Sequence, residues 1–87
     1  MKFDIIRLSG TTDEYGQLWV GAPNIELDKV TYIDCLTSTF SRSIAPYGII
    51  NLESIENDGL KFRLIATNNS TFNNYSIDKN VFVVYKY

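Results

Sequence analysis

Apolar residues in this chain alternate in two-residue steps, and each alternating run is soon cut by Gly, Asn, Asp or Pro. That period puts successive side chains on opposite faces of half-buried strands, and no segment keeps a 3.6-residue repeat for the length of a helix. The run from Leu60 to Ala66 is the clearest: Leu60, Phe62, Leu64 and Ala66 share one face, with Lys61 and Arg63 on the other until Ile65 interrupts. Val81 to Tyr87 is apolar both ways, Val81, Val83, Tyr85 and Tyr87 opposing Phe82, Val84 and Lys86. Such a strand belongs in the middle of a sheet or beneath a second layer. The strand holding that first run extends to Thr67, and Phe3 to Ser9, Gln17 to Gly21, Lys29 to Phe40 and Tyr47 to Leu52 complete the set. The chain reads as all-β, a single small antiparallel β-sandwich or jelly-roll-like domain of about six to eight strands.

The punctuation supports this. Asp13-Glu14-Tyr15-Gly16 and Asn57-Asp58-Gly59 each supply a glycine suited to positive φ, and both read as hairpin connections. Pro23, in Ala22-Pro23-Asn24, withdraws a ladder donor and ends the second strand. Ala45-Pro46-Tyr47-Gly48 reads as a turn or the start of an edge strand. Asn68 to Asn80 reads as the longest loop, polar but anchored by Phe72, Tyr75 and Ile77. Its three Asn-X-Ser/Thr triplets read as Asx and Ser/Thr turns rather than glycosylation acceptors.

With 87 residues and no linker or internal repeat, residues 1–87 form one domain, whose core covers roughly 60% of the unfolded surface. A net charge of -2 leaves no basic footprint for a phosphate backbone, so nucleic acid is not an expected partner. There is no His and a single Cys, so neither a His-based acid–base pair nor a Cys/His zinc cluster can be assembled from this chain. Cys35, in Tyr32-Ile33-Asp34-Cys35-Leu36, reads as a strand residue packed in or near the core, since no flanking Lys or Arg favours a thiolate. Asp13-Glu14 and the group Glu53, Glu56 and Asp58 match no calcium-loop spacing and read as solvated turns. No P-loop, dinucleotide, nucleophile-elbow or metalloprotease pattern occurs, so no catalytic residue, metal or cofactor is expected. Met1-Lys2-Phe3-Asp4 opens no readable export signal and no run is long enough to span a bilayer, so synthesis in a cytoplasm without membrane insertion is expected.

The aromatic share, 14%, includes six Tyr and one Trp, more polar-handled rings than a core of this size needs. Tyr15, Tyr47 and Tyr75 lie at or beside turns, Tyr75 next to Asn73 and Asn74, and these five are the candidate binding residues for a sugar or a protein. The alternative is that the rings cap the open ends of the sandwich. Trp19, inside a strand between Leu18 and Val20, belongs to the core or to a subunit interface. Small domains have thin cores and exposed edges, which a symmetric interface relieves, and Trp19, Phe82, Val84, Tyr85 and Tyr87 are the candidates for that contact.

Leu8-Ser9-Gly10-Thr11-Thr12-Asp13-Glu14-Tyr15-Gly16-Gln17-Leu18-Trp19-Val20-Gly21-Ala22-Pro23, followed by a strand beginning at Lys29, resembles the opening of small β-sandwich modules of bacteriophage tail fibres, baseplates and virion spikes. Pro46-Tyr47 and the aromatic last strand fit the same pattern. The resemblance implies a non-enzymatic virion structural or adhesion module, homotrimeric, made in the host cytoplasm and carried on the virion. Its implied partners are other virion proteins or a host-surface saccharide. A free carbohydrate-binding module and a phage-encoded inhibitor of a host protein are the alternatives.

Overall fold

The computed structural model describes residues 1–36, 38–40, 48–66 and 70–87. The chain is all-β, with seven strands among these residues: β1 (Lys2–Thr11), β2 (Gln17–Gly21), β3 (Tyr32–Cys35), β4 (Ser38–Phe40), β5 (Gly48–Glu56), β6 (Gly59–Ala66) and β7 (Ser76–Lys86). They form two antiparallel sheets, one of three strands in the order β1-β7-β3 and one of four in the order β2-β6-β5-β4. A sandwich core fills the space between them. Ile6, Leu8, Cys35, Ile77, Val81, Val83 and Tyr85 come from the first sheet, and Ile50, Leu60, Phe62, Leu64 and Ala66 from the second. Ala22, Ile25 and Phe72 seal the ends from the connections.

The alternation in Leu60 to Ala66 appears directly in the packing: Leu60, Phe62, Leu64 and Ala66 are buried, while Lys61, Arg63 and Ile65 are half-buried on the outer face. β7 is the central strand of its sheet, as its apolar character requires, with β1 and β3 on its flanks. It is also longer than the sequence suggests. Ser76 to Asn80, expected as the end of a loop, pairs with β1 from Thr11 back to Arg7. Periodicity is weak there because Ser76, Asp78 and Asn80 all face solvent, leaving Ile77 and Val81 as the inward residues. The segment Lys29 to Phe40 is broken into a 3₁₀ turn at Leu27–Lys29 and the strands β3 and β4, which lie in different sheets.

Two turns differ in kind from what their glycines suggest. Asp13–Gly16 does not join paired strands: β1 pairs with β7 and β2 with β6, so this turn is a corner between the sheets. Gly16 does take positive φ, at 74°. At the β5–β6 hairpin the positive φ values belong to Asn57 (52°) and Asp58 (59°), a two-residue loop of type I′ geometry that Asn and Asp tolerate. Gly59 is instead the first residue of β6, buried beneath Trp19, because any Cβ there would occupy the position of the indole ring.

The corner is closed by hydrogen bonds that tie residues 70–75 to it. Thr12, the one buried polar side chain among the described residues, donates from Oγ1 to the Phe72 carbonyl and accepts from the Tyr75 amide at 2.9 Å. The Asp13 carboxylate accepts from the amides of Tyr15 (2.8 Å) and Gln17 (2.9 Å), an Asx arrangement that sets the turn. Those bonds, the Gln17 amide foremost, hold the Asp13 carboxyl below its ordinary pKa.

Candidate interaction surface

The outer faces of the two sheets have opposite characters. On the four-stranded sheet, charges are paired across strands: Lys61 with Glu56 at 2.7 Å, and Arg63 with Glu53 at 3.0 Å. A β-bulge between Leu52 and Ser54 re-aims Glu53, which also accepts from Gln17 Nε2 at 3.1 Å. Trp19 lies on this face over Gly59, half exposed, and its Nε1 donates to the Glu56 carbonyl at 2.5 Å. This is a cross-strand aromatic covering a glycine, and of the two places expected for Trp19, core or subunit interface, it removes the core.

The three-stranded sheet presents the contrary surface. The outward residues of β1, β7 and β3 place Phe3 opposite Val84, Ile5 opposite Phe82, and Asp34 on the other side of Val84. Leu36 joins the row through its amide, which donates to the Phe82 carbonyl at 3.1 Å. Phe3 is 70% exposed, Ile5 53%, Leu36 55%, Phe82 49% and Tyr32 49%. Directly opposed residues on one sheet face lie within about 5 Å at Cβ, so Phe3, Val84, Ile5, Phe82 and Leu36 form one continuous apolar patch, which Tyr32, opposite Lys86, adjoins diagonally across Val84. It spans one end of the sheet. The other end is polar, with Ser9, Asn80 and Arg7, whose guanidinium makes a two-pronged pair with Asp78 at 2.7 and 2.8 Å.

The residues proposed from sequence for an interface are thereby separated. Phe82 and Val84 lie on the outer face, Tyr85 points inward and is only 7% exposed, and Trp19 is on the opposite sheet. Alternation decides this, because residues 82 and 84 cannot share a face with 85 in a regular strand. Burial pushes the Tyr85 phenol above its ordinary pKa. Tyr87, at the end of β7, has its ring centroid 5.5 Å from that of Tyr85, accepts from the Glu26 amide at 3.1 Å and receives the Lys2 ammonium over its ring at 5.1 Å. Phe3, Ile5, Leu36 and Tyr32 were not singled out from sequence. The signal was present as Phe3 and Ile5 standing in phase with Arg7, the polar-face residue of the same strand.

Of the turn residues expected to bind, Tyr15, Asn73, Asn74 and Tyr75 meet at the corner between the sheets. The Asn74 amide donates to the Asp13 carbonyl at 3.2 Å, and the Thr12 amide donates to the Tyr75 carbonyl at 2.9 Å. Tyr15 is exposed, whereas Tyr75 is half-buried against Phe72 with ring centroids 5.3 Å apart. Tyr47 lies outside the described residues.

A groove of about 450 Å³ runs between β3 and β5, lined by Asp34, Cys35, Leu52, Glu53, Arg63 and Ile65 among others. Cys35 Sγ makes a weak bond to the Ile50 carbonyl at 3.6 Å, and burial raises its thiol pKa. Among the described residues no three Cys, Asp or Glu side chains gather as a metal site would require, and no helix is long and apolar enough to cross a membrane. Comparison of the chain with protein-family models, curated proteins and solved structures returns no match.

Proposed function

We propose that this protein is a non-enzymatic interaction module, a subunit of a bacteriophage virion appendage that takes part in assembly or attachment, and that its contact surface is the outer face of the β1-β7-β3 sheet. The observation that carries the reading is the continuous apolar patch of Phe3, Ile5, Leu36, Phe82 and Tyr32 beside a second sheet whose outer charges are already paired. Scattered apolar residues on a surface need no explanation, but a continuous patch marks a place where another surface docks. The virion assignment rests on the resemblance of Leu8 to Pro23 to phage β-sandwich modules.

Quantitative mass spectrometry of purified phage particles, against lysate cleared of particles, tests the assignment. Enrichment in particles is the expected result. Presence only in the cleared lysate refutes it and leaves the inhibitor of a host protein in its place. The exposed Tyr15 beside Asn73 and Asn74 favours a second reading, a weak saccharide contact at the corner. A glycan array probed with wild type and Tyr15→Ala tests that contact, and equal signals from both discard it.

A further inference from the structure

We propose that the apolar face of the three-stranded sheet is covered by a second copy of this chain, in a two-fold, face-to-face packing of β1-β7-β3 on β1-β7-β3. This rests on the reading of that face as a contact surface.

Area is the first argument. Phe3, Ile5, Tyr32, Leu36 and Phe82 at their observed exposures present roughly 500 Å², taking ~150–250 Å² for a whole aromatic side chain. That lies in the upper half of the about 300–600 Å² found for the largest patch of an ordinary monomer. It is also more than half of the ~800 Å² that each partner gives to a standard stable interface, the rest of which a polar rim supplies.

Charge is the second. The ionic residues on this face are Arg7 and Asp78, paired with each other at the polar end, Lys86 at the opposite end, and Asp34, which lies between Tyr32 and Leu36 and turns its carboxylate onto the Cys35 amide. The face is therefore neutral as a whole. Two copies meet without net charge repulsion, whereas a strongly acidic or basic partner finds no complement.

The sheet edges supply the third argument. On both outer strands an aspartate carboxylate folds back onto the amide of the following residue, Asp4 Oδ1 accepting from Ile5 N at 2.9 Å and Asp34 Oδ1 from Cys35 N at 2.8 Å. These amides do not pair with β7, as the register places them on the strands' outer edges. A neighbouring strand would have to displace these carboxylates to pair at Ile5 or Cys35, which blunts both edges beside the apolar patch. Two sheets meeting face to face pack about 10 Å apart with strands roughly 30° from parallel, the arrangement already used inside this sandwich. A single patch on one face is what an isologous contact requires, so the closed assembly is a dimer rather than the trimer that the resemblance implies.

The test is the solution mass of the purified chain by light scattering, up to ~100 μM, well above the micromolar dissociation constants at the weak end for interfaces of this size. A shift from one chain to two with concentration is expected. Phe82→Lys and Ile5→Lys, each on an exposed position, should each weaken association at least ~30-fold, as a lost central anchor does. Ile55→Lys, an exposed apolar residue on the other sheet, should leave it unchanged. Unaltered melting temperatures in Phe82→Lys and Ile5→Lys show that the fold is kept. A mass of one chain throughout, a three-chain assembly, or a dimer indifferent to both substitutions overturns the proposal. Radical footprinting of assembled particles separates this failure from failure of the contact-face reading. Phe3 and Phe82 protected in particles around a monomeric chain mean that a different protein covers the face, and full oxidation there means that nothing does.

Discussion

Gly16→Ala is the substitution whose cost the structure defines most sharply. Gly16 sits at φ 74°, where an L side chain is strained by roughly 1–2 kcal/mol. A Cβ at this position would also lie 2.9 Å from Thr71 Cβ and 3.0 Å from the Leu64 carbonyl oxygen. Neither neighbour is a flexible chain end. Leu64 belongs to β6 inside the four-stranded sheet, and its amide donates to the Gly16 carbonyl at 2.9 Å. Relief therefore means lifting the corner off β6, and overpacking of this kind adds about 1–3 kcal/mol. The total, about 2–5 kcal/mol, is a large part of the ~4–13 kcal/mol a domain of this size has to lose. Gly21→Ala is the control. Its Cβ would find only Trp19 Cη2 at 3.9 Å, with no positive φ, so the change should be neutral or stabilising by up to ~1 kcal/mol. Urea unfolding followed by circular dichroism measures both. A Gly16→Ala loss below ~1 kcal/mol, or a loss equal to that of Gly21→Ala, would refute the argument that the corner is locked by backbone geometry and close approach.

Three further outcomes follow from the same geometry. Gly59→Ala should lift the Trp19 indole off β6, costing about 1–3 kcal/mol and red-shifting its fluorescence; in a Trp19→Ala background the same change should be nearly free, and an additive double mutant would contradict the stacking. The Asp13 carboxyl has its pKa lowered by the Gln17 and Tyr15 amides, so its contribution is complete above the unfolded value of 3.8 and is lost as pH falls through the lower folded value. Melting temperatures from pH 6 down to about pH 2 should therefore fall more steeply for wild type than for Asp13→Asn, and parallel curves would show that those amide bonds carry no pH-dependent stability. Cys35, buried with a raised thiol pKa, should react with a thiol reagent at pH 8 far more slowly when native than in denaturant, and equal rates would place it outside the core.

Strand content and the inward residues were legible wherever the two-residue period was clean. Leu60, Phe62, Leu64 and Ala66 face the core because their alternation leaves no other way to bury them without burying Lys61 and Arg63 as well. The central place of β7 and a turn at Asn57–Asp58 were legible for similar local reasons. Which strands pair depends on contacts between segments far apart in the chain. Asp13–Gly16 has the composition of a hairpin, yet it turns a corner because β7 and β6 claim β1 and β2 by pairings far apart in the chain. The interaction face depends on the same long-range choice. Phe3, Ile5 and Phe82 come from β1 and β7, Leu36 directly follows β3, and they become a surface only when β7 is set between β1 and β3. Trp19 and Gly59 likewise meet across the β2–β6 pair, where the ring explains a glycine that local turn chemistry cannot. Local periodicity fixes which side of a strand is wet, but strand order is set by non-local packing, and a site built across strands is written only there.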